Sequence, residues 1–92
     1  MRGFIPREWA FGPFSRNISR LERVERLRRL RGVIDLTCGD RGTAASRALS
    51  LAEQDPDEGA LDLGLGALTR LDAADRRHVL TSFANLHQEA RA

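Results

Sequence analysis

Residues 15–31 read SRNISRLERVERLRRLR, and between Arg16 and Arg31 seven of sixteen positions are arginine and two are glutamate. Ile18, Leu21, Val24, Leu27 and Leu30 recur at every third position. A helix advances about 100° per residue, so this spacing predicts a helix near 16–31. A step of three falls about 60° short of a full turn, and a strict series of such steps drifts around the helix. The expected result is a core helix that crosses its neighbours obliquely and buries different sides at its two ends. The alternative is that one end faces a second chain.

The charges along this helix have a layout of their own. Glu22 precedes Arg26 by four residues, and Glu25 precedes Arg29 by four. Acid before base at that spacing supports a helix by about 0.2–0.5 kcal/mol per pair. Arg16, Arg20, Arg23, Arg28 and Arg31 have no such acid within the helix, so their counterions must come from the rest of the chain, from solvent or from a partner. Residues 1–31 carry nine arginines against three glutamates, a net +6, whereas residues 32–92 carry six arginines against ten acids, a net −4. Such segregation points to a basic interaction patch, or to two halves that neutralise each other within the fold. The chain has no lysine, so the clustering of arginine carries more meaning than its identity.

Ninety-two residues suit one domain with a modest core. A single cysteine, Cys38, excludes an internal disulfide and fits a cytoplasmic setting. No apolar run approaches the ~18 residues of a membrane span, and no secretory signal is expected at the N-terminus.

Residues 1–14, MRGFIPREWAFGPF, hold four of the five aromatics: Phe4, Trp9, Phe11 and Phe14. Pro6 and Pro13 oppose a continuous helix. The segment is expected to be a non-helical arm that folds back over the core, docks on another surface or, least favoured, anchors at a membrane interface. Residues 15–92 are expected to form one helical domain.

After Gly32 the chain reads VIDLTCGDRGT through Thr43. Val33-Ile34-Asp35-Leu36 followed by Thr37-Cys38-Gly39-Asp40-Arg41-Gly42 resembles motif I of the Rossmann-like methyltransferases, in which a strand leads into a glycine-rich loop. That resemblance implies a parallel sheet. The family's alternate glycines are missing at Thr37 and Arg41, however, and no further βα units follow. Val33, Ile34 and Leu36 could extend the helix by a turn or form a short extended piece, but the stretch is read as an interhelix loop, with Asp40-Arg41-Gly42 as turn chemistry.

Three more helices follow from start signals. Thr43 is the expected N-cap of a helix over 44–54, with Ala45, Ala48, Leu49 and Ala52 as its small-residue face. Asp55-Pro56-Asp57-Glu58 predicts a helix near 56–71, capped by Asp55 with Pro56 in its first position and Glu58 as the capping-box acid. Leu61, Leu65, Leu68 and Leu71 mark its apolar face. Asp72 is the expected cap of a last helix near 73–90, with Val79, Leu80, Phe83 and Leu86 toward the core. The fold class is all-α: a small bundle of about four helices with a non-helical aromatic arm.

Catalytic chemistry finds no foothold in this pattern. His78 and His87 lie nine residues apart and face opposite sides of one helix, so they cannot share a metal. The carboxylates are accounted for by caps and ion pairs, and no P-loop, CxxC or HExxH is present. No cofactor, metal or catalytic residue is expected. The favoured function is a small regulator or adaptor, such as an inhibitor of a larger complex, that binds a protein partner with an acidic surface. Its expected partner-binding residues are Phe4, Trp9, Phe11, Phe14, Arg16, Arg20, Arg23, Arg28 and Arg31. The alternative is nucleic-acid binding through the same arginines. Drift of the apolar series also leads us to expect a homodimer with the basic helix contributing.

Overall fold

A computed structural model of the chain describes residues 12–91, and the side chains of residues 12–86. The elements are α1 (Arg20–Cys38), a 3-10 turn (Gly39–Gly42), α2 (Thr43–Gln54), α3 (Glu58–Thr69) and α4 (Ala73–Arg91), with no strand among the described residues. The all-α expectation holds.

The basic helix is displaced from its expected bounds at both ends. It starts at Arg20, where the Ser19 hydroxyl accepts a hydrogen bond from the Glu22 backbone N–H at 3.1 Å. Ser19 and Glu22 have the spacing of a capping box, so this start is written in the residues, four positions after the one inferred from periodicity. The helix then runs through Gly32, which is exposed and tolerated, and ends at Cys38. Val33–Thr37 is therefore helix rather than interhelix loop, and neither a strand nor a nucleotide-binding turn forms there. Leu27, Leu30, Ile34 and Cys38 are all buried. Their steps of three, four and four make the straight stripe that the i+3 series alone lacks. The drift is thus confined to the first turns, where Leu21 is exposed and Val24 half-buried.

Termination at Gly39 has a backbone cause. Its φ of +56° lies where side chains are strained, and its N–H closes the helix on the Asp35 carbonyl. The next three residues make the tight turn into α2. Thr43 opens α2 as its first residue instead of capping it; its hydroxyl donates to the Asp40 carbonyl at 3.0 Å. Helix α3 is capped by Asp57 rather than Asp55, with Oδ1 accepting from the Ala60 N–H at 2.7 Å. The aspartate nearer the helix wins because its carboxylate reaches the third free N–H of the first turn.

The core gathers Leu27, Leu30, Val33 and Ile34 of α1, Ala45, Leu49 and Ala52 of α2, Leu68 of α3, and Val79 and Phe83 of α4. Leu80 and the α3 residues Leu61 and Leu65 pack at its edge. Leu86, expected in the core, is exposed. Helices α2 and α3 are joined by three residues and so form an antiparallel hairpin. Helix α1 packs against both α2 and α4.

Phe14 completes this core from outside the helices. It is only 4% exposed, and its ring lies close to Gly64 of α3. Pro13 is fully buried beside it. The fold-back expectation therefore holds for the end of the arm. Phe4, Trp9 and residues up to Phe11 lie outside the described residues.

Candidate functional site

The arginines singled out in the sequence are used within the fold. Arg23 Nη1 donates to the Pro13 carbonyl at 2.6 Å, and Arg26 Nη1 donates to the Gly12 carbonyl at 3.3 Å. Arg26 is also held by Glu22 at 2.9 Å, as the helix spacing predicts. These two side chains hold the Gly12–Phe14 segment against α1. Burial, together with the Arg26 charge, pulls the Arg23 guanidinium below its ordinary range. Its charge is directed inward.

Arg31 grips Glu53 of α2 with two nitrogens, Nε to Oε2 and Nη2 to Oε1, the latter at 3.1 Å. That bidentate hydrogen bond raises the Arg31 pKa. Arg28 reaches the same carboxylate at 3.4 Å. Arg20 makes a loose, exposed contact with Asp55 at 3.8 Å, and Arg16 has an interaction of its own. The basic first part of the chain and its acidic remainder thus neutralise each other across helix interfaces. Glu25 and Arg29 do not pair, although their spacing allows it. Buried Phe14 has no surface to offer a partner.

A further ion pair is invisible to local spacing. Arg41, in the 3-10 turn, holds Asp75 of α4 through Nε–Oδ2 at 2.8 Å and Nη2–Oδ1 at 3.0 Å. Asp75 is nearly buried. The Arg41 hydrogen bonds keep its carboxyl below the usual carboxylate range. The neighbouring Cys38 thiol is pushed up by burial and by the Asp75 charge, with Arg41 opposing. A raised thiol is a poor nucleophile at neutral pH. No group of three metal-ligating side chains occurs among the described residues, and no helix there is long and apolar enough to cross a membrane.

Apolar surface beyond the exposed Leu21 and Leu36 of α1 lies on the outside of the α2–α3 hairpin. Helix α2 carries two apolar stripes: Ala45, Leu49 and Ala52 face the core, while Ala44, Ala48 and Leu51 turn away by one residue's rotation. In helix α3 Leu61, Leu65 and Leu68 face inward and Leu63 outward, while Ala60 and Ala67 pack partly against the core and border the same outer side. These positions line a groove of about 510 Å³. Leu51 and Leu63 remain 57% and 69% exposed along it. Arg47, Arg70 and Asp57 form its polar rim.

Neither the Arg47 nor the Arg70 side chain has an ion pair or hydrogen bond with a described residue, in contrast to Arg23, Arg26, Arg28 and Arg31 of α1. This surface escapes a search for one core face per helix. Its signal is the second stripe of α2 together with Leu63 of α3, apolar positions beyond those one packed side requires.

Comparison with protein-family models, curated proteins and solved structures finds no match.

Proposed function

We propose that this chain is a small helical protein-binding module, regulatory or adaptor in role and without enzymatic activity, and that it docks its partner on the outer face of the α2–α3 hairpin. One observation carries the reading: Leu51 and Leu63 stand exposed beside an alanine-lined groove whose rim guanidinium groups have no partner among the described residues. Contiguous exposed apolar surface with a polar rim is the usual mark of an interaction site. A module of this size that covers a surface on a larger assembly acts as an inhibitor of it.

Support for protein over nucleic acid comes from the commitments of the α1 arginines. Arg23 and Arg31 are tied to carbonyls and to Glu53, and Arg28 shares that glutamate. Phosphate binding needs cations free to replace the counterions condensed on the nucleic acid. Two assays separate the readings. The purified protein should leave a random DNA duplex unretarded even at low salt. Captures from the source cell should lose a specific partner with Leu51→Asp/Leu63→Asp but keep it with Arg20→Ala/Arg28→Ala. Retardation that weakens as salt rises and vanishes with the arginine variant would instead assign the function to nucleic acid.

A further inference from the structure

The identity of the partner can be taken one step further, resting on the docking face just described. We infer that the groove receives an amphipathic helix of another protein, with an apolar stripe at i, i+3 or i+4, and i+7, and carboxylates clustered at one end. Helix-in-groove recognition needs a hydrophobic trough between two helices, anchor positions at helical spacing and a rim that sets direction. The alanine floor lets a third backbone approach closely, while Leu51 and Leu63 supply the walls.

Direction comes from the charges. The hairpin is antiparallel, so Arg47 near the start of α2 and Arg70 just past the end of α3 lie toward one end of the groove, and Asp57 lies toward the other. Guanidinium groups match carboxylates in fork geometry, and neither of these two is engaged by a described residue. Asp57 already holds the Ala60 N–H. A second copy of this chain, laid hairpin on hairpin, would offer the two arginines only the single Asp57 carboxylate from the groove lining. An acidic guest helix satisfies both, with its carboxylate end at Arg47 and Arg70.

The test uses two helix-stapled peptides of about four turns, each with leucines on one stripe. One carries three glutamates in a terminal turn, and its twin carries three lysines there. Fluorescence anisotropy on the full chain should show saturable binding of the glutamate peptide and at least about tenfold weaker binding of the lysine twin. Arg47→Glu/Arg70→Glu should invert that preference. Leu51→Asp/Leu63→Asp should abolish binding of both peptides. The substituted positions are exposed, so circular dichroism should remain helical.

Equal affinities, or a preference that survives Arg47→Glu/Arg70→Glu, overturn the acidic-helix assignment and leave the docking face standing. A dimer mass by light scattering that Leu51→Asp/Leu63→Asp returns to monomer gives the face to a second copy and overturns the assignment likewise. Failure of both peptides to bind, with cell captures indifferent to Leu51→Asp/Leu63→Asp, overturns the assignment and the docking face together.

Discussion

Phe14 enters the core without a helix to carry it, and its position depends on Arg23 and Arg26 gripping the carbonyls of Pro13 and Gly12. Phe14→Ala should therefore cost about 3–5 kcal/mol of stability, read by urea unfolding, because it leaves a ring-sized void under Gly64. A cost near zero would mean that the arm's end is not part of the core.

Gly42 is constrained by packing as well. A Cβ there would lie 2.5 Å from Ile34 Cγ2 and 2.9 Å from Cys38 Cβ. Gly42→Ala should lower the melting temperature, since a close-packed interior resists added volume. The Arg41–Asp75 pair makes a third prediction, on pH. A carboxyl held below its ordinary pKa stabilises the fold fully above the unfolded value, about 3.9. That contribution disappears as pH falls through the lower folded value. Arg41→Ala should thus destabilise the protein at neutral pH, and the difference from wild type should shrink as pH falls below about 4. Acid unfolding curves of the two proteins provide the check. A difference that is constant from pH 7 to pH 2 would contradict the pairing.

Among the elements, α1 was the most legible in kind and the least legible in extent. Its i+3 leucines and its arginines announce a helix, and the Ser19–Glu22 spacing marks the start. Its end was obscured because Gly32 looks like a stop signal, while the backbone change occurs seven residues later at Gly39. Gly32 is exposed, and an added Cβ would meet nothing within 4 Å. Gly32→Ala should accordingly stabilise the protein by about 0.5–1 kcal/mol in the same urea measurement. A loss of stability would restore the reading in which the helix ends there.

The inward faces of α2 and α3 were recoverable from spacing except for Ala48, which lies on the outer side, and the caps were recoverable to within two residues. Pairings between distant elements were not, because Arg31 with Glu53 and Arg41 with Asp75 join residues that only packing brings together. Exposure of Leu51 and Leu63 was hidden for the same reason. A second apolar stripe tells that a helix has two sides to cover, not which side the rest of the chain will cover.

Across the molecule, the charge asymmetry has a largely structural explanation. Arginine side chains of α1 hold the arm's end and α2, and the expected motive for dimerisation through that helix shrinks to the exposed Leu21 and Leu36. Unspent interaction capacity lies instead on the α2–α3 hairpin, where apolar walls coincide with arginines unpaired among the described residues. The central claim is that partners meet this hairpin and not the basic helix. Site-specific photo-crosslinking in the source cell tests it most directly, with a photoreactive residue placed in turn at Leu51, Leu63, Arg20 and Arg28. The account predicts protein adducts from Leu51 and Leu63 and none from Arg20 or Arg28. Adducts confined to Arg20 and Arg28, whether to protein or to nucleic acid, would contradict it.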